Sequence, residues 1–400
     1  MNNNQICNIE SCTGCLACFN SCVHHAVKLS INEEGFIQPY IDTEKCIDCG
    51  LCRQRCPSNG NIRTIQFEQY GYVCWNKDST IVRNSSSGGL FTSLAESIIK
   101  DGGYVCGAAF SDNFEVSHVI INNITDLQKI RCSKYVQSNI GYIYWNIKQL
   151  LVKKKIVLFV GTPCQVAGLK NFLCIDYPNL YTCDFVCHGV PSPKIFKTYK
   201  EYLENKYKSK WESYVFRDKR WSWASFNIKA TFKNGNIYYG TWYKDPFLRL
   251  FLSELISRES CYSCNYTNMN RPGDITFADF WGIKFHQNEK KNYNDTGLSL
   301  ALINSEKGKE LFEKSKKTLI YYRRSKDEIR LSQKSFNSPW SKPKNRSNFW
   351  EDYRNENFEF VIKKYAKELP TPLNKRLLFT FGKNKFISFV CKIIDKLIIG

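Results

Sequence analysis

Apolar and polar positions along the chain predict strands and helices in alternation. Short apolar segments predict buried strands at YVCGAAFS, VSHVIIN, KKIVLFVG, YTCDFVC, DITFADFWG and GLSLALIN. Helices are predicted for LFTSLAESIIK, for TDLQKIRC with Thr125 as its cap, for QVAGLKNFL and for the capped segment NSEKGKELFEKSKK. Strands that alternate with helices predict an α/β domain, here with a mixed sheet.

A different pattern occupies the first 60 residues, where two cysteine runs flank a predicted hairpin, KLSINEEGFIQPYID. The runs share the spacing CxxCxxCxxxC and contain Cys12, Cys15, Cys18 and Cys22, then Cys46, Cys49, Cys52 and Cys56. In bacterial ferredoxins with this spacing, the fourth cysteine of each run binds the other 4Fe–4S cluster. The alternative is a pair of zinc sites, although zinc proteins seldom repeat this spacing.

These patterns predict an α+β chain, in which a small bacterial two-cluster ferredoxin fold precedes the α/β domain. We expect one cluster on Cys12, Cys15, Cys18 and Cys56, and a second on Cys46, Cys49, Cys52 and Cys22.

Composition narrows the class of protein. The chain has 19 cysteines and no predicted signal peptide or transmembrane segment, so we expect a cytoplasmic protein whose cysteines bind metal or react rather than pair. Its net charge of +20 is uneven, at about −2 over residues 1–60 and about +12 over residues 301–400. No nucleic-acid-binding motif accompanies this charge, so we predict no nucleic-acid partner.

A Ser/Gly-rich loop, SSSGG at residues 85–89, precedes the first predicted helix of the α/β domain. Backbone N–H groups and the helix dipole can hold a phosphate at such a position. A plain serine cap with glycine flexibility is the alternative. No GxGxxG follows a predicted strand, so a Rossmann nucleotide site is not supported.

Four further cysteines are candidates for a third site. Cys164 and Cys187 each follow a predicted buried strand, and ligands collect at the carboxyl ends of strands in open α/β sheets. The segment CYSC could supply Cys261 and Cys264 as the other pair. Four thiolates bind zinc or a cubane cluster. For Cys74, Cys106 and Cys174 we prefer a role as small buried apolar residues.

Six motifs in order resemble the coenzyme F-420 hydrogenase/dehydrogenase beta-subunit family fused to an N-terminal two-cluster ferredoxin domain. They are SSSGGLFTSL, RCSKYVQS, GTPCQVAGLK, DFVCHGVPSP, CYSCNY and RPGDITFADFWGI, and the resemblance covers roughly residues 1–320. It implies FAD in the α/β domain and a third 4Fe–4S cluster on Cys164, Cys187, Cys261 and Cys264. Cys183 is a rival ligand.

The resemblance also implies the flavin contacts, which are Ser86, Ser87, Gly88, Gly89, Ser133, Lys134, Tyr135, Thr162, Gln165, Asp279, Phe280 and Trp281. Lys134 would place positive charge near the flavin or its phosphates, and its alternative is an ordinary surface lysine. His188 is a candidate proton relay, with a structural role beside a ligand cysteine as its alternative.

The expected function is that of an iron–sulfur flavoprotein oxidoreductase. Electrons would pass from an external ferredoxin or another carrier through the clusters to FAD and a small organic substrate, and the reverse direction is equally allowed. Relatives associated with surface-polysaccharide genes suggest a sugar substrate. The alternatives are an electron-transfer subunit that feeds a partner enzyme or uses coenzyme F-420, and a cluster-binding regulatory protein without flavin. A homo-oligomer stays open.

The expected domains are the ferredoxin domain at 1–60, the two parts of the flavin domain at 61–150 and 151–325, and a basic tail at 326–400. In the tail, apolar residues recur at helical spacing among lysines in KNKFISFVCKIIDKLIIG. Such a helix could pack on the protein core or lie on an anionic membrane at the cytoplasmic face.

Overall fold

A computed structural model describes residues 5–369, except 61–66, 221, 284, 287–288, 290–292 and 294–295. The amphipathic helix predicted at the C-terminus lies outside the described residues, so its two interpretations remain predictions. No helix of the described ranges is long and apolar enough to cross a membrane.

The strands fall into three sheets among the described residues. Their bounds are β1 Val27–Ile31, β2 Ile37–Ile41, β3 Tyr70–Asn76, β4 Tyr104–Phe110, β5 Val116–Ile121, β6 Val157–Gly161, β7 Leu180–Phe185, β8 Trp211–Asp218, β9 Asn227–Phe232, β10 Ile237–Gly240, β11 Ile275–Asp279, β12 Ser299–Ile303 and β13 Leu319–Arg324.

The α-helices of the described ranges include the four whose positions were predicted. Their bounds are α1 Ala17–Ser21, α2 Leu51–Gln54, α3 Ser79–Arg83, α4 Leu90–Lys100, α5 Leu127–Ile130, α6 Ile143–Val152, α7 Pro163–Leu173, α8 Pro193–Tyr207, α9 Pro246–Leu252, α10 Glu306–Ser315, α11 Lys326–Leu331, α12 Arg346–Asn355 and α13 Phe358–Tyr365.

The central sheet is mixed and has the strand order β13-β3-β12-β11-β7-β6-β4-β5. Strands β4, β6, β7 and β11 run parallel to their neighbours within this group, and the strands at both edges are antiparallel. The hairpin β1–β2 belongs to the N-terminal module, as its alternating pattern predicts. The predicted α+β class, a ferredoxin-like module followed by a mixed-sheet domain, is therefore confirmed.

Strand β6 shows why the sheet has helices on both faces. All five of its residues are buried, as expected for a parallel strand covered on two sides. Leu158 and Val160 pack in a core with α4 and α10, whereas Val157 and Phe159 pack in a second core with α6 and α7. Leu16 of the N-terminal module belongs to that second core, so the module packs against the α6–α7 side of the sheet.

A third core lies around the smaller sheet of β8, β9 and β10. Helices α8 and α9 contribute to it, and so do Phe349 and Trp350 of α12 and Val361 of α13. Residues 346–366 therefore pack on the folded protein, although they fall in the segment that we predicted as a basic tail.

The predicted capped start of α10 is confirmed, the predicted cap of α5 is not found, and α7 begins with a capping box that was not predicted. Thr162 and Gln165 form a capping box at α7, and the Ser305 hydroxyl accepts a hydrogen bond from the Gly308 N–H at the start of α10. The predicted Thr125 cap is wrong. The N-cap of α5 is Asp126 without a side-chain cap, because the Thr125 hydroxyl donates to Asn123 Oδ1 instead.

Candidate cofactor sites

The first thiol set consists of Cys12, Cys15, Cys18 and Cys56, all of them buried. They lie close enough for the negative charge of one thiolate to raise the pKa of another, as Cys15, Cys12 and Cys56 do for Cys18 after the larger effect of burial. Gly14 precedes Cys15 with φ +67°, a conformation that suits glycine, and it turns the chain between the first two cysteines.

A fifth cysteine, Cys7, lies in the same place. Its thiol is hydrogen-bonded with both Cys12 and Cys56, and these bonds are the largest cause that raises the pKa of Cys7. The same bonds lower the pKa of Cys12 and of Cys56. The sequence reasoning did not assign Cys7 to any site.

The second thiol set lines one open cavity, and its members are Cys22, Cys46, Cys49 and Cys52. Backbone N–H groups of Ala26 and Asp48 donate to the sulfurs of Cys22 and Cys46 at 3.2 and 3.4 Å. Cys49 is exposed, so this set lies at the surface of the module.

The third thiol set joins cysteines from three separate segments. Cys164 begins α7 after β6, Cys187 follows β7, and Cys261 and Cys264 lie in and just after a short 3-10 helix, Glu259–Ser263. Burial raises the pKa of Cys187 most, and the charges of Cys261, Cys164 and Cys264 raise it further. The four predicted cysteines therefore lie together.

Protein donors reach three sulfurs of this third set. The Gly189 N–H donates to Cys187 Sγ at 3.4 Å and the Tyr266 N–H to Cys264 Sγ at 3.5 Å. The Thr162 hydroxyl lies 3.1 Å from Cys164 Sγ. Backbone donors to sulfur are the contacts that tune protein-bound iron–sulfur clusters.

The rival ligand Cys183 lies elsewhere. It is fully buried in the core formed with α4 and α10, and the charged groups that affect its pKa after burial are Asp274 and Asp184 rather than thiols.

The first and third sets are neighbours. The charge of Cys164 contributes to the raised pKa of Cys15, after burial and Cys56. A Cβ atom added to Gly168 of α7 would lie 3.0 Å from Cys15 Cβ and 3.1 Å from its Sγ. Arg258 also spans the two sets, since its guanidinium contacts Cys12 and its backbone C=O accepts from the Cys261 N–H at 2.9 Å.

The donor chemistry of all three sets fits iron–sulfur clusters, since each gathers four cysteines and two sets receive backbone N–H···S bonds. No group of three or more His, Cys, Asp or Glu side chains in the described ranges is arranged to hold a single metal ion.

The Ser/Gly loop enters α4 without a serine cap. The N-cap of α4 is Gly89, with φ +86° and no side-chain cap bond. Ser86 Oγ accepts from the Ser133 N–H at 2.8 Å, Ser87 Oγ donates to Leu298 O, and Gly88 packs so tightly that an added Cβ would lie 2.6 Å from Cys74 O. The loop is thus fixed against two neighbouring segments, and the plain serine cap is excluded.

Two half-buried lysines, Lys134 and Lys219, adjoin this loop. Lys219 Nζ donates to Val82 O and Ser87 O at 2.7 and 2.6 Å, and Lys134 Nζ donates to the carbonyls of Lys129, Arg131 and Cys132. Burial lowers the pKa of Lys134 to about 8 and, together with the charge of Arg217, that of Lys219 to about 7. Neither lysine forms an ion pair within the described ranges.

Arg217 lies beside these lysines. Its Nη1 donates to Asp279 Oδ2 at 2.8 Å and to the Tyr135 hydroxyl at 3.1 Å, and its face lies 4.1 Å from the Phe226 ring. Its Nη2 is buried and has no hydrogen-bond partner. An unpartnered guanidinium nitrogen beside two half-buried lysines fits a phosphate-bearing group such as FAD.

The remaining predicted flavin contacts have different surroundings in the structure. Trp281 stacks on Trp223 at 4.2 Å, next to Asp279, which accepts from Trp223 Nε1. Phe280 is a core residue at 3% exposure. The amide and hydroxyl of Gln165 and Thr162 are used within the capping box, so these two residues shape the start of α7.

His188 is enclosed as well. Burial lowers the pKa of His188, which is hydrogen-bonded to Gln333 and stacks on Trp340 with ring centroids 5.5 Å apart. Gln333 Nε2 in turn donates to Asp279 O. The histidine that follows Cys187 is thereby linked to the segment of predicted flavin contacts.

Residues 154–328 match the family model for the C terminus of the coenzyme F420 hydrogenase/dehydrogenase beta subunit. Residues 11–59 match the 4Fe-4S dicluster domain. The chain carries the C-terminal domain of this beta-subunit family behind a dicluster domain. The resemblance predicted from the six motifs is confirmed, and the chain is an iron–sulfur electron-transfer protein related to the F420 hydrogenase beta subunit.

The chain is also similar to a curated protein in sequence and to a solved structure. An uncharacterized protein in the rpl9-rpl11 intergenic region of Porphyra purpurea is 40% identical over 58 residues, which are 13% of this chain and 73% of that protein. A chain of the xenon-derivatised F420-reducing [NiFe] hydrogenase complex from Methanosarcina barkeri is 16% identical with a TM-score of 0.46, covering 78% of this chain and 97% of that one.

Sequence reasoning missed several residues at these sites of the beta-subunit-like chain. Arg217, Lys219 and Trp223 lie in or next to an aromatic segment, WSWASFNIKA, to which no role was assigned. The basic run RDKR beside that segment was the available signal. Arg258, three residues before Cys261, carried no signal, because its partner Cys12 is distant in sequence.

Proposed function

We propose that this chain is an iron–sulfur flavoprotein oxidoreductase. It would pass electrons between an external ferredoxin and a small organic substrate by way of the dicluster domain, a third 4Fe–4S cluster and FAD. The observation that carries the proposal is the convergence of Cys164, Cys187, Cys261 and Cys264 beside Cys15 of the first thiol set. A third set in that position extends the dicluster domain toward the Ser/Gly loop.

The FAD assignment rests on the cluster of basic side chains near the start of α4. Lys134, Lys219 and Arg217 would hold the phosphates, together with backbone N–H groups that no side chain caps. Trp281 and Trp223 offer a stacked aromatic surface next to them. Bound there, FAD would supply the conversion between single-electron and two-electron transfer.

His188 and Lys134 were predicted as catalytic residues, and we retain them with separate roles. The ring of His188 is held by Gln333 and lies next to ligand Cys187, so it would exchange a proton near the third set. The ammonium of Lys134 is fixed on three carbonyls and would act by its charge. The substrate we propose is a small organic molecule, with a surface-polysaccharide sugar as the specific candidate, and use of coenzyme F-420 belongs to the alternative electron-transfer role.

A reduction assay tests this proposal against the alternative of an electron-transfer subunit. The full chain, loaded with iron and FAD under anaerobic conditions, is mixed with dithionite-reduced ferredoxin, and loss of the oxidised flavin absorbance is followed. We expect flavin reduction in the wild type and at least a tenfold slower reduction in Cys261→Ala, since the third set connects the two regions. Equal rates in both proteins would overturn the proposal.

The same preparation separates the two functional alternatives. Turnover of a sugar nucleotide by the isolated chain supports an enzyme with its own organic substrate. Reduced flavin that exchanges electrons only with coenzyme F-420, or only with an added partner enzyme, supports the electron-transfer role.

A further inference from the structure

Arg258 is a buried arginine between the dicluster domain and the third thiol set. It is 3% exposed, and its backbone belongs to the segment that carries Cys261. The Arg258 N–H donates to Val190 O at 3.1 Å, close to Cys187 in the chain. The backbone of Arg258 is therefore tied to the third set, whereas its side chain extends to the first.

The guanidinium is held almost entirely by neutral or sulfur acceptors. Nε donates to Cys12 O at 2.6 Å, Nη1 to Gln137 Oε1 at 2.9 Å, and Nη2 to Ile37 O at 3.0 Å and to Cys12 Sγ at 3.6 Å. The face of the guanidinium lies 5.4 Å from the Phe36 ring. Within the described ranges Arg258 makes no ion pair with a carboxylate, and Cys12 Sγ is the sulfur that its guanidinium contacts.

Arg258 contacts both thiol sets. Its guanidinium donates to the backbone O and the Sγ of Cys12 in the first set, and its backbone C=O accepts from the N–H of Cys261 in the third. The second thiol set, in contrast, has no contact with Arg258 among the described residues.

Reduction by one electron makes a cluster site more negative by one charge. A buried cation and an N–H···S bond stabilise that added charge, because the low dielectric of the interior leaves their field unscreened. We infer that Arg258 raises the reduction potential of the cluster held by Cys12, Cys15, Cys18 and Cys56, and so favours electron transfer onto this cluster beside the third set. This inference rests on the ligand assignment in the proposed function.

Redox potentiometry tests the role of Arg258. The full chain is reconstituted anaerobically, titrated with dithionite, and followed by electron paramagnetic resonance. For Arg258→Gln we expect at least a tenfold shift of the one-electron equilibrium toward the oxidised form, which corresponds to about 59 mV lower potential. The signal of the exposed second cluster should not move, which distinguishes a local effect from a general one.

Two further variants make the test independent of folding defects. Arg258→Lys retains the charge but cannot reach Cys12 O, Cys12 Sγ and Ile37 O together, so its potential should fall by less than that of Arg258→Gln. Arg346→Gln is the matched control, because Arg346 is also buried and reaches the dicluster domain, but is paired with Glu34 and Glu259. Its potentials should equal those of the wild type.

Iron content separates the failure of this inference from the failure of the proposed function. If Arg258→Gln binds as much iron as the wild type and its potentials are unchanged, only the role of Arg258 is overturned. If Arg258→Gln does not load iron, the same result in Arg258→Lys overturns that role. If the wild type binds only about eight irons per chain, which is what the dicluster domain requires, the assignment of a third cluster is overturned. The test of Arg258 on the first cluster still applies in that case.

Discussion

At the residue scale, the neighbours of each cysteine distinguish ligand candidates from core residues. Cys74 and Cys106 are fully buried, and burial alone raises their pKa. Burial is also the largest cause of the raised pKa of Cys187 and Cys264 in the third set, but neighbouring thiols of that set raise their pKa further. Spacing along the chain predicted which cysteines belong to the N-terminal sets. It could not predict the neighbours of Cys7 or Arg258, since those contacts form only on folding.

Removal of one thiol of the third set should remove one cluster. For Cys261→Ala we expect a loss of up to about four irons per chain, because removal of one of the four thiolate ligands weakens the binding of a cubane. Cys183→Ala is the control, because it deletes a fully buried thiol that lies among apolar core residues. Iron analysis of both purified variants measures this loss. Equal iron content in Cys261→Ala and the wild type would count against the third cluster.

FAD affinity should depend on pH through the two half-buried lysines. An anionic ligand favours their charged forms, so binding takes up protons. Affinity should therefore weaken as the pH rises above about 7 for Lys219 and about 8 for Lys134, by up to about tenfold per pH unit for each. Fluorescence titration of the protein with FAD from pH 6 to 9 measures this.

Lys219→Gln is the comparison for that titration. It should bind FAD more weakly at low pH and show a flatter pH profile, since one of the two titrating charges is absent. A wild-type affinity that is constant over the range, or that increases with pH, would contradict the assignment of FAD to this cluster of basic side chains.

At the scale of elements, strands and helices of the α/β domain were predictable where the apolar pattern was strong. β6, α7 and α10 lie where the sequence placed them, because continuous burial, a capping box and a serine cap leave local signals. The smaller sheet of β8, β9 and β10 was not predicted. Its strands are interrupted by irregularities in register, and its aromatic residues pack with α12 and α13, which are distant in sequence.

Helix α7 positions Cys164 and also receives Cys15. Gly168 allows this contact, since an added Cβ would lie 3.0 Å from Cys15 Cβ and 3.1 Å from the Tyr144 hydroxyl. Gly168→Val should lower the free energy of unfolding by about 1–3 kcal/mol and reduce the iron content, because the larger side chain displaces Cys15.

Urea unfolding and iron analysis measure the effect at Gly168. Gly107→Ala is the control, as its added Cβ would meet only Ile130, at an ordinary 3.4 Å. Wild-type stability and iron in Gly168→Val would show that α7 does not hold Cys15 in place.

At the scale of the whole molecule, the three thiol sets differ in exposure. The second set opens to the surface at Cys49, with Val23 and Ile47 exposed at 62% and 63% beside it. The first set is buried, and the third, whose cysteines are half-buried, lies next to it at α7. Arg346 with Glu34, and Arg258 with Cys12, join the dicluster domain to the rest of the chain. We therefore expect electrons to enter at the second set.

Charges placed at this entrance should slow electron exchange. Val23→Asp with Ile47→Asp should reduce the rate of reduction by ferredoxin at least fivefold, since an apolar contact surface is lost and an acidic donor is repelled. Ile175→Asp is the control, because Ile175 is exposed at 60% outside this region. Stopped-flow mixing with reduced ferredoxin measures the rates. A control variant as slow as the double variant would place the entrance elsewhere.

The central claim is that three clusters and one flavin form a single chain of carriers. Iron, acid-labile sulfide and flavin per chain, measured after anaerobic expression and purification, test it most directly. We predict about twelve irons, about twelve sulfides and about one FAD, four irons for each cubane. About eight irons without flavin would contradict the claim, because only the dicluster domain would then carry a cofactor.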